Sequence, residues 1–390
     1  MDHTTLRLED PRELLAYVPH RLGFRPHESA VAVGLRGPRG RLGLVVRVDL
    51  DDLAPADDGP RLARALAEHL GRDGADRVLL VAYTDREEGE ELARRAAAHL
   101  LEACDVPVGP VDALLVANGA YRCLACSADC CPPGGRPLDD LRGTRVGAEM
   151  VLAGSVVAER REDVARIPPA PAEARRSVGR VRARWEAARL RAAGGGDDAL
   201  AAWRLASLRA WRDEVALGGL APSPPGPDGA VLQGAGRPVP DARTTFSRLG
   251  RVEAGLSDRR VRDAVLVTLV PGTGRLAERS LAGPCAAAVD DRLLGAAMAK
   301  VVDPGAGVPP PPATRRHEAV LEQLVAHGRT TTQSPALTLL GLLAWWRGDG
   351  ARASLLLERA LVADEGYRLA LLLARTLEAG LPPGWVRRHV

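Results

Sequence analysis

The chain has 390 residues, of which 46% are hydrophobic and 26% are charged, a balance typical of a globular protein with two ordinary domains. The 53 basic and 50 acidic residues give a net charge of only +3, which argues against general binding to nucleic acid or to a membrane surface. The longest apolar runs are too short to span a bilayer, and Met1-Asp2-His3 lacks the basic and apolar stretches of a signal peptide. We therefore expect a cytoplasmic protein in which the cysteines are reduced.

The first helix pattern begins at Asp10-Pro11, where Asp10 can cap the helix and Pro11 suits its first position. Glu13 would complete a capping box, and Pro19 would help to end the helix. These signals predict a short helix at the start of the folded chain.

Strand and helix patterns then alternate. The predicted strands cover residues 29–35, 42–50, 77–83, 111–117 and 120–124. The predicted helices between them cover residues 61–70 and 88–104. Asn118-Gly119 is a strong signal for a two-residue hairpin turn. This order predicts an α/β domain with a mixed sheet over residues 1–155, and the cysteine-rich loop would follow its last hairpin strand.

From about Thr144 onward the patterns are mostly helical, which predicts an all-α domain over residues 156–390. The predicted helices include residues 145–152, 159–166, 173–192, 198–217 and 261–269. Ser257-Asp258 would cap the last of these. Two segments rich in proline and glycine, residues 221–241 and 303–312, indicate linkers or long loops.

The last helices carry a spacing of small residues that matches a tetratricopeptide repeat. The matching positions are Leu340-Gly341, Gly348-Asp349, Ala353, Leu357 and Ala360. The sequence has one clear copy, whereas a repeat array needs several copies to bury a continuous core. We therefore predict a tetratricopeptide-like helical hairpin at the end of the chain, where the C-terminal helices could bind a protein partner.

Four cysteines, Cys123, Cys126, Cys130 and Cys131, fall within nine residues. A structural zinc ion needs four ligands in a tetrahedral arrangement. Adjacent cysteines such as Cys130 and Cys131 seldom both bind one ion, because their side chains diverge. A redox pair of Cys126 with Cys130 or Cys131 is an equally open alternative. The third interpretation, which we favour, is a loop of small buried thiols without a cofactor.

A second polar cluster lies between the first predicted helix and the first predicted strand. Its members are His20, Arg21, Arg25, His27 and Ser29. Arg21 and Arg25 would hold an anionic ligand, and Ser29 would donate a hydrogen bond. Asp85 follows the predicted central strand, at the edge where open α/β sheets bind ligands. The alternative is a solvated loop, with Asp85 acting as a helix cap.

Catalytic motifs give little guidance. The sequence has no Gly-x-Ser-x-Gly nucleophile elbow and no His-Glu-x-x-His zinc helix. Our leading hypothesis is therefore a cytoplasmic protein that binds a ligand or a partner, or regulates one. The alternative, from a different class, is a thiol- or metal-dependent enzyme that uses Cys126, Cys130 and Cys131.

Several short segments form a combination that is specific although each piece alone is weak. They are Leu14-Leu15-Ala16-Tyr17-Val18-Pro19, Leu22-Gly23-Phe24-Arg25-Pro26, Cys126 with Cys130-Cys131-Pro132-Pro133, Val261-Arg262-Asp263, and Leu343-Ala344-Trp345 through to Leu381-Pro382-Pro383. Together they resemble a family catalogued as domain of unknown function 4192, over nearly the whole chain. The resemblance implies a fold class and no activity. Cys123 is an addition to that family's usual cysteine arrangement, so a four-thiolate site would be peculiar to this chain.

Overall fold

The computed structural model describes residues 10–38, 40–124, 131–152, 154–217, 242–282, 288–303 and 307–387. The chain divides into two compact units, Met1–Val164 and Ala165–Val390. The predicted linker at residues 221–241 lies outside the described residues, as do residues 304–306 of the second predicted loop.

The first unit is built on a six-stranded mixed sheet, as the alternating patterns predicted. Its strands are β1 (Ser29–Arg36), β2 (Arg41–Asp49), β3 (Arg77–Tyr83), β4 (Val111–Ala117), β5 (Ala120–Cys123) and β6 (Arg136–Pro137). They lie in the order β2-β1-β3-β4-β5-β6. β3 and β4 are parallel, whereas β1 is antiparallel to β3. The carboxyl ends of β3 and β4 therefore share one edge of the sheet with the amino end of β1.

Helices complete the first unit. They are α1 (Pro11–Leu22), α2 (Leu50–Leu53), α3 (Gly59–Arg72), α4 (Gly89–Cys104) and α5 (Arg145–Leu152). Leu80 and Ala82 of β3 pack with Leu70 of α3 and Leu100 of α4 in one buried core. Tyr83 points to the opposite face of the sheet, because successive side chains of a strand alternate between faces.

The N-terminal cap of α1 is confirmed, since the Asp10 carboxylate accepts a hydrogen bond from the backbone N–H of Arg12 at 2.9 Å. The predicted capping box is wrong. The Glu13 carboxylate instead accepts hydrogen bonds from the backbone N–H groups of Arg145 and Val146, at 3.2 and 2.8 Å. Glu13 thus satisfies free donors at the start of α5, which is 132 residues away in the chain.

The end of α1 also differs from the prediction. Pro19 lies inside the helix, which continues to Leu22 and ends at Gly23. Gly23 has a φ of 79°, and its N–H donates to the Pro19 carbonyl at 2.8 Å. Glycine adopts this left-handed conformation without the steric cost that a Cβ would bring, so the glycine rather than the proline ends the helix.

Residues 154–160 return to the start of the chain. The backbone N–H of Ala158 donates to the Gly23 carbonyl at 2.8 Å, and the Ala158 carbonyl accepts from the Arg25 N–H at 3.0 Å. The helix predicted for residues 159–166 is a 3-10 turn at Arg161–Ala165. We refer to residues 154–160 as the return segment.

The described part of the second unit is mostly helical, as predicted. Its helices are α6 (Ala172–Gly194), α7 (Asp197–Leu217), α8 (Ala242–Leu256), α9 (Arg259–Leu269), α10 (Leu276–Arg279), α11 (Ala288–Val302), α12 (Thr314–His327), α13 (Ser334–Trp346), α14 (Gly350–Ala363), α15 (Arg368–Glu378) and α16 (Gly384–Arg387). The Asp258 cap of α9 is confirmed, because its carboxylate accepts hydrogen bonds from the N–H groups of Arg260 and Val261. A search of the described residues found no helix with the length and apolar character needed to cross a membrane.

α13 and α14 form a closely packed pair joined by residues 347–349. A methyl group built on Gly341 of α13 would lie 2.9 Å from Leu357 Cγ and 3.5 Å from the Ala353 carbonyl. The small residue therefore lets the two helices approach. The tetratricopeptide-like character of this pair stays a prediction.

The close approach gives a test with two mid-helix glycines. Gly341→Ala should lower the free energy of unfolding by about 1–3 kcal/mol, because the new methyl group must displace the buried Leu357 side chain. Gly179→Ala in α6 should raise it by up to about 1 kcal/mol, because the same methyl group meets open space and alanine favours helix.

Urea unfolding of both variants, followed by circular dichroism, measures the two effects. Gly179→Ala is the matched control for the intrinsic preference of alanine. A stabilising effect of similar size in both variants would contradict the packing described for α13 and α14.

Candidate functional site

A cleft of about 710 Å³ opens in the first unit where β3 and β4 end. Its lining comes from α1, the residues before β1, the ends of β3 and β4, the 3-10 turn Leu138–Gly143, α5 and the return segment. Leu15, Pro26, Tyr83 and Val116 are buried members of this lining. This is the edge at which open α/β sheets bind ligands.

Glu28 fixes the geometry of this edge. Its carboxylate accepts hydrogen bonds from Thr84 Oγ1 at 2.8 Å and from the Asp85 N–H at 3.1 Å. The same carboxylate lies 3.1 Å from Arg86 Nε. Three successive residues after β3 are thus tied to the residue before β1. Sequence reasoning did not select Glu28, because nothing local marks a glutamate whose partners lie 56 residues away.

Arg86 extends this network outward. Its guanidinium donates to both oxygens of Asp51, at 2.7 and 2.9 Å. The hydrogen bond from Arg86 lowers the pKa of Asp51 below its usual range, although both side chains are substantially exposed to solvent. The pair braces the end of β3 against α2 and contributes little free energy by itself.

Asp85 lines the cleft and does not cap α4, where Glu88 is the residue at the N-cap position. Its role as a ligand-binding residue stays a prediction. One of its oxygens accepts a hydrogen bond from the Asn118 N–H at 2.6 Å. The other lies 3.9 Å from His27 Nε2. Asn118 and Gly119 both have positive φ, at 49° and 75°, as the predicted hairpin turn requires. Asp85 therefore connects this turn to the edge of the sheet.

His20 of α1 lines the cleft and lies next to the return segment. Its Nδ1 lies 3.0 Å from Ser155 Oγ, which belongs to the return segment. Burial lowers the pKa of His20 below 6.5, because the charged imidazolium loses hydration. The ring is consequently neutral at pH 7 and can both donate and accept a hydrogen bond.

The remaining members of the predicted polar cluster separate. Arg25 lines the cleft, with its Nε 3.4 Å from Glu159 Oε2. Arg21 is exposed at the end of α1 and is not among the described lining residues. Ser29 is fully buried: its hydroxyl donates to the His27 carbonyl and accepts from Arg47 Nε at 2.8 Å. The structure therefore brings His20, Arg25 and Asp85 to one cleft, and gives Ser29 internal partners.

Tyr83 was missed by sequence reasoning. It ends β3, lines the cleft and is only 8% exposed. Its hydroxyl has no hydrogen-bond partner within the described part of the chain. Burial raises the pKa of this hydroxyl, so it stays protonated and can donate. The available signal was a single polar atom at the end of the apolar run over residues 78–83.

The cysteine segment is described only in part. Cys126 and Cys130 lie outside the described residues. Cys123 ends β5, and its backbone N–H donates to Cys131 Sγ at 3.4 Å. Within the described residues, no three His, Cys, Asp or Glu side chains are grouped so that they could hold a metal ion.

The family model described as "Domain of unknown function (DUF4192)" matches residues 11–384. The chain belongs to this family. The resemblance of the short segments is thereby confirmed, and the DUF4192 match covers both the unit that carries the cleft and nearly all of the helical unit. Comparisons with curated proteins and with solved structures found no match. Membership in DUF4192 assigns no activity, so the function must be argued from the cleft itself.

The burial of His20 predicts how this residue titrates. NMR of the imidazole nitrogens should give a titration midpoint below 6.5, with the His20→Gln spectrum providing the assignment. Since the folded pKa is below the unfolded one, His20 contributes stability that is complete above about pH 6.5 and is lost as the pH falls toward the folded pKa. A midpoint at or above 6.5 would show that the ring is hydrated.

Cys104 offers a second test of the same unit. It is fully buried in the core between the sheet and α4, and burial raises the pKa of its thiol to about 11. Because the thiolate is the reactive form, Cys104 should resist iodoacetamide at pH 8 in the folded chain and react in urea. Peptide mass spectrometry reports each cysteine separately. Rapid alkylation of Cys104 without urea would refute the packing of this core.

Proposed function

We propose that this chain is a cytoplasmic protein that binds a small ligand in the cleft at the ends of β3 and β4. One observation carries the proposal: a preformed concave site lies at the carboxyl ends of β3 and β4, and its buried members include the apolar Leu15 and Val116. Ligands of open α/β sheets bind at this edge, and small-molecule sites are mostly apolar clefts. This position and this lining support a binding role for the cleft.

The size and the rigidity of the site support the same role. A volume of about 710 Å³ suits a small organic molecule. The Glu28 network and the Asp85–Asn118 hydrogen bond fix the residues after β3, at the edge of the cleft, in the absence of a ligand. Binding to a site that is already ordered loses less conformational entropy, and therefore favours affinity.

A protein partner at the C-terminal helices is a further part of this proposal. α14 and α15 expose apolar side chains, including Val362 and Leu372, which are 83% and 51% exposed. Exposed apolar side chains are typical of interaction surfaces when they are contiguous. The helical unit would then present or regulate the ligand-bound unit.

A second candidate function is thiol or metal chemistry at the cysteine segment. The observation that favours it is the proximity of Cys123 and Cys131, whose backbone N–H and Sγ lie 3.4 Å apart. Zinc or a redox pair would then involve Cys126 and Cys130. Metal analysis and thiol titration of purified protein test this candidate: bound zinc or an oxidised pair supports it, and four unreactive thiols without metal exclude it.

Filling the cleft tests the binding proposal. Ala16 of α1 lines the cleft and is half-buried, so Ala16→Trp should occupy part of the volume. We expect the wild type to bind N-phenyl-1-naphthylamine, an uncharged probe that fluoresces in apolar surroundings, and Ala16→Trp to weaken this binding by about tenfold or more. Direct excitation of the naphthyl group gives the titration.

Ala98→Trp is the control, because Ala98 is exposed on α4 and does not line the cleft. This variant should bind the probe as the wild type does, and thermal unfolding should show that both variants are folded. No binding by the wild type, or equal binding by all three proteins, would remove the proposal.

A further inference from the structure

Both arginines of the described lining are paired with carboxylates, and its third carboxylate, that of Asp85, lies beside His27. Asp139 Oδ1 lies 3.0 Å from Arg142 Nη2, and Asp85 Oδ2 lies 3.9 Å from His27 Nε2. The third pair is formed by Arg25 and Glu159, 3.4 Å apart. The described lining therefore has two arginines and three carboxylates, so it offers no surplus of positive charge to an anion.

These pairs are also at the mouth of the cleft rather than in its interior. The side chains of Arg25 and Glu159 are 70% and 79% exposed, and those of Asp139 and Arg142 are exposed to a similar degree. Charges in such positions are screened by water and salt and add little affinity. These exposed pairs would not keep a neutral ligand out of the cleft.

The interior is uncharged. Its buried members are the apolar Leu15, Pro26 and Val116, together with Tyr83 and Thr84. The Thr84 hydroxyl is committed to Glu28. His20 adds a neutral imidazole with Nδ1 engaged by Ser155. An ionised group moved into such surroundings loses its hydration without gaining a counter-ion, which costs far more than burying a neutral group that keeps one hydrogen bond.

We propose that the ligand of this cleft is an uncharged, largely apolar molecule. This inference rests on the proposed function and deepens it, since it names the class of ligand. It replaces the anionic ligand that Arg21 and Arg25 suggested in the sequence. A neutral aromatic or aliphatic compound has the required chemistry.

Two probes that differ by one charge test the inference. N-phenyl-1-naphthylamine is neutral, and 8-anilinonaphthalene-1-sulfonate has the same rings and amine with an added sulfonate. The neutral probe should bind the full-length wild type about tenfold or more tightly than the sulfonate, with an affinity that does not change between low and high salt. If the sulfonate probe binds at all, it should bind outside the cleft, so Ala16→Trp should not change its affinity.

Tyr83→Phe removes the hydroxyl alone and supplies a control. The hydroxyl oxygen is sealed from solvent, so the neutral probe should bind this variant as it binds the wild type. The substitution should also raise the unfolding midpoint of the ligand-free chain, because the partnerless hydroxyl is gone. A variant that merely unfolded would lower that midpoint instead, so misfolding cannot imitate the expected result.

The outcomes separate this inference from the proposed function. If Ala16→Trp leaves the neutral probe unaffected, the cleft is not its site and both proposals fall. If Ala16→Trp weakens both probes but the sulfonate binds as tightly as the neutral probe, the cleft binds ligands and only the assignment to uncharged molecules is overturned. Weaker binding of the neutral probe by a folded Tyr83→Phe variant would overturn the assignment of the ligand's contacts to apolar side chains.

Discussion

The carboxylate of Glu28 is the contact on which the candidate site depends. It holds three successive residues after β3 through the Thr84 hydroxyl, the Asp85 N–H and the Arg86 guanidinium. Glu28 itself has a φ of 42°, an unusual conformation for a residue other than glycine, and one that costs about 1–2 kcal/mol. The hydrogen bonds, each worth on the order of 1 kcal/mol, offset that cost. Together with the Asp85–Asn118 hydrogen bond, they fix the path of the polypeptide beyond β3 along the cleft.

Local patterns predicted most of the first unit's sheet. β3 and β4 begin and end where their apolar runs do, and the Asn118-Gly119 turn joins β4 to β5 as predicted. These elements are recognisable because their physics is local: valine-rich runs favour buried strands, and two residues with positive φ select asparagine and glycine. α9 was predicted for the same reason, since Asp258 caps the helix within its own first turn.

The site itself was only partly predictable. His20, Arg25 and Asp85 were selected from their positions beside strand and helix ends, and they do line one cleft. The sequence did not reveal the roles of Glu13 and Glu28, because their hydrogen-bond partners lie far away in the chain. It also did not single out Tyr83, whose hydroxyl has no hydrogen-bond partner among the described residues. The local pattern predicted that Glu13 caps its own helix, α1. In the structure its carboxylate instead accepts hydrogen bonds at the start of α5. The charge balance of the lining could not be predicted from the sequence either. Glu159 and Asp139 are far from Arg25 in the chain and line the same cleft only in the folded unit.

The return segment has a consequence for the order in which the cleft is built during synthesis. The strands β1 to β5 are complete at Cys123, but the wall that contains Ser155 and Glu159 leaves the ribosome later. Domains fold as their residues emerge, so a nascent chain would expose Tyr83 and Val116 on an open sheet before α5 and Ala158 arrive to enclose them. Until then the growing polypeptide exposes an apolar edge, the kind of surface that a chaperone binds, and the cleft is complete only when residues 154–160 have been synthesised.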